Sequence, residues 1–178
     1  MGTGYIQKIF LDNDGSGFTS TPTVAITTAP SGGTDATAVA ITTTRNNITS
    51  ISEILLTNAG TGYTVAPTIT ISGGGGTGAA ATCGIITAHR GVISFTITDS
   101  GSGFTTTPPV SIAAPPLSPT INASAKAVVS AGGSITEIRI VNAGAGFLGS
   151  APNVTIGSAA TTGIGTYWFN EVITGPRS

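Results

Sequence analysis

The sequence predicts an all-β protein assembled from tandem repeats, and three observations lead there. Apolar and polar residues alternate along many short stretches, as in "TEIRI", which is the period of a strand with one face buried. Glycine occupies 26 of 178 positions and recurs at fixed offsets, where it punctuates strands with turns. A Gly-x-Gly-aromatic motif returns four times at nearly constant spacing, and internal periodicity of this length decides a fold class. No helical period is found.

The motif aligns four segments: "LDNDGSGFTSTPTVAI", "LTNAGTGYTVAPTITI", "ITDSGSGFTTTPPVSI" and "IVNAGAGFLGSAPNVTI". Its aromatic residues Phe18, Tyr63, Phe104 and Phe147 are 45, 41 and 43 residues apart. They place four repeats at residues 5–47, 48–90, 91–134 and 135–178. The paired glycines are Gly15 and Gly17, Gly60 and Gly62, Gly101 and Gly103, and Gly144 and Gly146. They permit the positive φ that a tight connection needs. The aromatic that follows is expected to plug the loop onto the sheet. The prolines Pro22, Pro67, Pro108 and Pro152 suit the start of a strand, where a missing N–H costs least.

Within each repeat a strand A precedes the loop, at residues 6–11, 51–56, 93–97 and 135–140. A short strand B follows the proline, and a strand C follows at 36–42, 79–87 and 123–130. Alternating alanines such as Ala36, Ala38 and Ala40 imply a closely approaching layer. The turn segments "TRNN", "HRG" and "AGG" predict that each C pairs antiparallel with the next A. Eleven strands result, and the pattern names no partner for B. Four copies of about three strands fit a linear or prism-like stack of small sandwiches. A closed β-trefoil-like domain is the alternative, although a trefoil needs three copies of four strands.

The opening pair of aspartates, Asp12 and Asp14, resembles a calcium loop, but the other copies carry Thr57 and Ala59, Thr98 and Ser100, and Val141 and Ala143. A calcium loop also needs six to eight oxygen ligands, and its twelfth position here is Thr23. It reads as a turn. One histidine, His89, and one cysteine, Cys83, exclude a local zinc site and a disulfide framework. Seven carboxylates form no repeated acid–base pair, and "SGGGGTGAA" lacks the Lys-Ser/Thr ending of a phosphate loop. No enzymatic activity and no cofactor are expected.

Charged residues make up only 7% of the chain and net charge is −1, so no nucleic-acid or anionic-membrane footprint is present. No apolar run approaches the ~20 residues of a membrane-spanning helix. The N-terminal stretch lacks a charged region followed by an apolar one, so no secretory signal is expected. The Asn-x-Ser/Thr triplets at Asn47, Asn122 and Asn153 then read as chance in a Thr-rich chain. Threonine is concentrated around turns rather than in close ranks, which argues against ice binding.

The stretch "ILLTNAGTGYTVAPTITISGGGGTGAAA" resembles a repeat of bacteriophage virion proteins, common in tail-associated and other structural proteins of phages of marine bacteria. Asn58, Gly60, Gly62, Tyr63, Pro67, Ile69, Ile71 and the run from Gly73 to Gly76 fall in its pattern. The other copies keep the aromatic loop and the Pro-x-apolar part and lose the tetraglycine. The resemblance spans residues 5 to about 160 and implies a non-catalytic assembly role in a virion, as tail fibre, baseplate attachment or capsid decoration. It brings no catalytic residues with it. A host-surface glycan module using the repeated aromatics, and a subunit of a cellular surface filament, are the alternatives.

The fourth copy replaces its strand C with a segment carrying Tyr167, Trp168 and Phe169 in a row. Terminal repeats often diverge to cap an array or meet a partner. The pairing rule also leaves the first A and the last C-like segment, 165–173, as edges. These edges either close on each other or meet other subunits. The expectation is a homo-oligomer, a trimer, with Tyr167–Trp168–Phe169 in the contact.

Overall fold

The computed structural model describes residues 4–87, 90–117, 120–147 and 151–157. Its strands are β1 (Tyr5–Ser16), β2 (Thr23–Ile26), β3 (Thr37–Arg45), β4 (Ile48–Asn58), β5 (Ile69–Ser72), β6 (Thr77–Ile86), β7 (Val110–Ile112), β8 (Ser124–Val129), β9 (Ile135–Asn142) and β10 (Val154–Ile156). The described residues form no helix, and the strand pairs detailed below are antiparallel. The protein is all-β.

The chain divides into two compact units, Met1–Ala88 and His89–Ser178. Each contains two of the aromatic loops. In the first, β3 and β4 form a hairpin whose register runs to Arg45↔Ile48. Its two-residue turn is Asn46–Asn47, at φ 50° and 61°. Two consecutive positive φ values match the right-handed twist of the strands, and asparagine tolerates them better than other side chains. In the second unit β8 and β9 form the matching hairpin, closed by Gly133 N–H donating to Ser130 C=O at 3.0 Å.

Strand B, whose partner the sequence does not name, pairs with strand B of the other copy in its unit. β2 lies antiparallel to β5 through Val24↔Ile71, and β7 to β10 through Ser111↔Thr155. The core is built by the alternating strands. In β4, Ile51, Ile54, Leu55 and Leu56 are all buried, so both faces of this strand are covered. In the second unit Phe104, Ala127, Ile135, Ile138, Val154 and Ile156 form one buried cluster, with Phe95 and Ile97 packed against it. On the opposite face of β9 Arg139 Nε and Glu137 Oε2 form an ion pair at 2.8 Å.

Two expectations about pairing are corrected. The strand C of the second copy, β6, does not pair with the A that follows it. It pairs with the first A, β1, from Tyr5↔Ile86 to Ser16↔Thr77. The first strand is therefore covered within its own unit rather than left as an edge. Loop-closure entropy grows only slowly with chain length, so a long connection that satisfies an edge is favoured over leaving it bare. The second correction is that residues 93–97, read as a strand A, lie in no strand among the described residues. His89 of the connection "HRG" and the aromatic run at Tyr167, Trp168 and Phe169 lie outside the described residues.

Candidate interaction surfaces

The repeated loop is assembled by an interaction that sequence inspection passed over. Two residues before the first glycine stands Asn13, Asn58, Asp99 or Asn142. Each side-chain oxygen accepts the N–H of that glycine, at 3.0 Å for Gly15 and 2.8 Å for Gly60, Gly101 and Gly144. This Asx turn orients the chain before it bends. The signal was legible, because an Asn or Asp stands at that position in all four copies while the flanking residues vary. Asp12 and Asp14 are both exposed, and Asp12 accepts a bond from Thr82 Oγ1 at 3.2 Å.

The glycine is also a space requirement. A Cβ on Gly60 (φ +65°) would lie 2.7 Å from the Ala36 nitrogen and 2.8 Å from Cε2 of Tyr63. Gly144 meets Ala123 and Phe147 in the same way. Beyond the glycines, Phe18, Tyr63, Phe104 and Phe147 are buried. Burial removes their ring faces from solvent, so none offers a platform on which a sugar could stack. Tyr63 is the one copy with a hydroxyl. It accepts the Ala36 N–H at 3.0 Å and donates to Thr27 C=O at 3.3 Å.

Backbone bonds around the loops repeat from unit to unit. Ile6 N–H donates to Ala59 C=O at 2.9 Å, as Val92 does to Ala143 at 2.8 Å. Tyr63 N–H donates to Gly4 C=O, as Phe147 does to Arg90, and Phe18 N–H to Thr49 C=O, as Phe104 does to Gly133. Both units thus use one plan, and their differences stand out against it.

The tetraglycine run is one such difference. In the first unit Gly74 C=O accepts from the N–H groups of Thr19 and Ser20 at 2.7 and 3.3 Å, so the run covers the Phe18 loop. In the second unit Phe104, Thr105, Thr106 and Thr107 line, with Val129 and Ser130, an open cleft of about 470 Å³.

Elsewhere the exposed side chains are dispersed. Phe10 is half exposed on β1, with Lys8 Nζ 5.5 Å from its ring centroid and Gly84 of β6 beneath its edge. An aromatic laid over a strand glycine shields backbone that glycine leaves bare, which gives Phe10 a packing role. Ile48 and Val65 are exposed singly at turns. Cys83 is partly buried, and burial pushes its thiol pKa up, away from reactivity. Among the described residues no three of His, Cys, Asp and Glu converge.

Comparison with known protein families, characterised proteins and solved structures yields no match to this chain.

Proposed function

We propose that the chain is a bacteriophage virion structural subunit without catalytic activity, placed in a tail fibre, a baseplate attachment or a capsid decoration. The observation that carries the reading is the repeated "GxG-aromatic … Pro-x-apolar" segment and its resemblance to virion repeats. The loops support it, because their aromatic, Asx and glycine residues are consumed in holding strands together. A chain with 7% charged residues and packing-committed loops suits a passive building block. In this reading the four repeats work in pairs, each pair forming one block of a stacked or prism-like array.

Its partners are further copies of itself, as a trimer, and other virion proteins, with Tyr167, Trp168 and Phe169 in the contact between copies. Light scattering at micromolar concentration tests the self-association, and a monomer would overturn it. Phage particles purified from the source culture, analysed by mass spectrometry and by immunolabelling in the electron microscope, test the location. The protein should co-purify at fixed stoichiometry, and its absence from intact particles would sink the reading. A host-surface glycan site based on the repeated aromatics is disfavoured by their burial.

A further inference from the structure

The ribbon of β1 and β6 buries Ile9 on its inner face and carries an ordered strip of side chains on its outer face. Lys8 Nζ lies 5.5 Å from the centroid of the Phe10 ring. Phe10 stands opposite Thr82 in the register, so these two side chains share a face. Thr82 Oγ1 donates to Asp12 Oδ1 at 3.2 Å, which brings the carboxylate to that face although the register shifts between Leu11 and Asn13. Along β1 the strip therefore runs cation, aromatic, anion. The neighbouring positions of β6 are small, with Gly84 opposite Lys8. One edge of Phe10 rests over Gly84, yet the residue stays 48% exposed.

This order is its own complement. Consider a two-fold axis in the plane of the ribbon, at right angles to β1 and level with Phe10. It reverses the strand and turns its face over, which sets Phe10 on the Phe10 of a second copy. Lys8 then faces the second copy's Asp12, and Asp12 faces the second copy's Lys8. A two-fold contact requires this reciprocity, with the same patch used by both subunits. Sheets stack face to face about 10 Å apart, a gap that paired aromatic rings fill in an offset arrangement. A partner of a single charge sign would be attracted at one end of the strip and repelled at the other. The balance selects a surface with the same order reversed.

β1 has 12 residues, so the face is about 40 Å long and roughly 10 Å wide, on the order of 400 Å² per copy. A standard stable interface uses about 800 Å² per partner, which places this contact in the weak, concentration-dependent class.

We propose that the outer face of the β1–β6 ribbon is a two-fold self-association surface, with Phe10 on the axis and Lys8 and Asp12 paired reciprocally across it. The contact is separate from the one assigned to Tyr167, Trp168 and Phe169, and it does not rest on the virion reading.

Sedimentation equilibrium of the full chain at low ionic strength, over a wide micromolar range, tests it with two charge reversals. Lys8→Asp sets carboxylates against each other at both pairs, and Asp12→Lys does the same with ammonium groups. Each variant alone should self-associate at least about fivefold more weakly than wild type. An equimolar mixture of the two variants restores opposite charges at both pairs and should recover wild-type association. That recovery excludes misfolding as the cause of the losses. All samples carry the same C-terminal segment, so a contact made there cannot produce the pattern. A wild-type mass that does not rise with concentration, single variants that associate as wild type does, or a mixture no stronger than its parts would each overturn the proposal.

Discussion

The hydroxyl of Tyr63 accepts the backbone N–H of Ala36 at 3.0 Å, so a loop of one repeat is fastened to the strand leading from another. The ring sits beside Gly60, and the same hydroxyl donates to Thr27 C=O. One side chain thus joins three segments of the first unit. Replacing Tyr63 by alanine should cost roughly 3–5 kcal/mol, the range for deleting a buried aromatic. Tyr63→Phe keeps the ring but strands the buried Ala36 N–H, and about 1–3 kcal/mol is expected. Thermal or denaturant unfolding measures both, and a Tyr63→Ala midpoint equal to wild type would refute the plug.

The Asx turn makes a smaller and separable contribution. Asn58→Ala removes the acceptor for Gly60 N–H and should destabilise by about 1 kcal/mol, with Asn58→Asp largely retaining stability. If Asn58→Asp loses as much as Asn58→Ala, the side-chain oxygen is not what matters.

Gly60→Ala tests conformation and space together. Its φ of +65° disfavours any L side chain, and its Cβ would meet Ala36 nitrogen at 2.7 Å. A loss larger than the roughly 1–2 kcal/mol that an L side chain costs in the left-handed region is expected. Gly17→Ala, with nothing within 4 Å of the new Cβ, should cost less. Equal losses would mean that crowding plays no part.

Alkaline pH should weaken the fold. Burial raises the phenol pKa of Tyr5 and of Tyr63. An unfolded tyrosine ionises near pH ~10, so below that value both states are neutral and the contribution is fully present. Above it the unfolded state loses protons that the folded state keeps, and stability declines as pH rises towards the folded values. Guanidinium midpoints should fall between pH 9 and pH 11, with less fall in a Tyr5→Phe/Tyr63→Phe variant. A flat profile in the wild type would contradict the burial of both phenols.

The sequence by itself determined the class of structure and its repeating parts. Alternation along "TEIRI" put Ile138 and Ile140 on the core face and Glu137 and Arg139 on the other. The Asn46–Asn47 turn and the alanines leading to it identified the β3–β4 hairpin, because a two-residue connection brings its flanking strands side by side. These are local matters, settled by propensity and period within a few residues. The Asx turn is equally local, because the Asn or Asp accepts the N–H of a glycine two residues on.

Only the tertiary structure decided which distant strands meet. β1 pairs with β6, and each strand B pairs with the B of the other copy in its unit. Nothing in a strand's own alternation distinguishes one complementary partner from another, since backbone ladders are the same for all sequences. The choice depends on which arrangement covers the edges and fills the space beside Gly60, Gly76 and Phe18. Those are properties of several segments at once, and they exist only when the chain has folded.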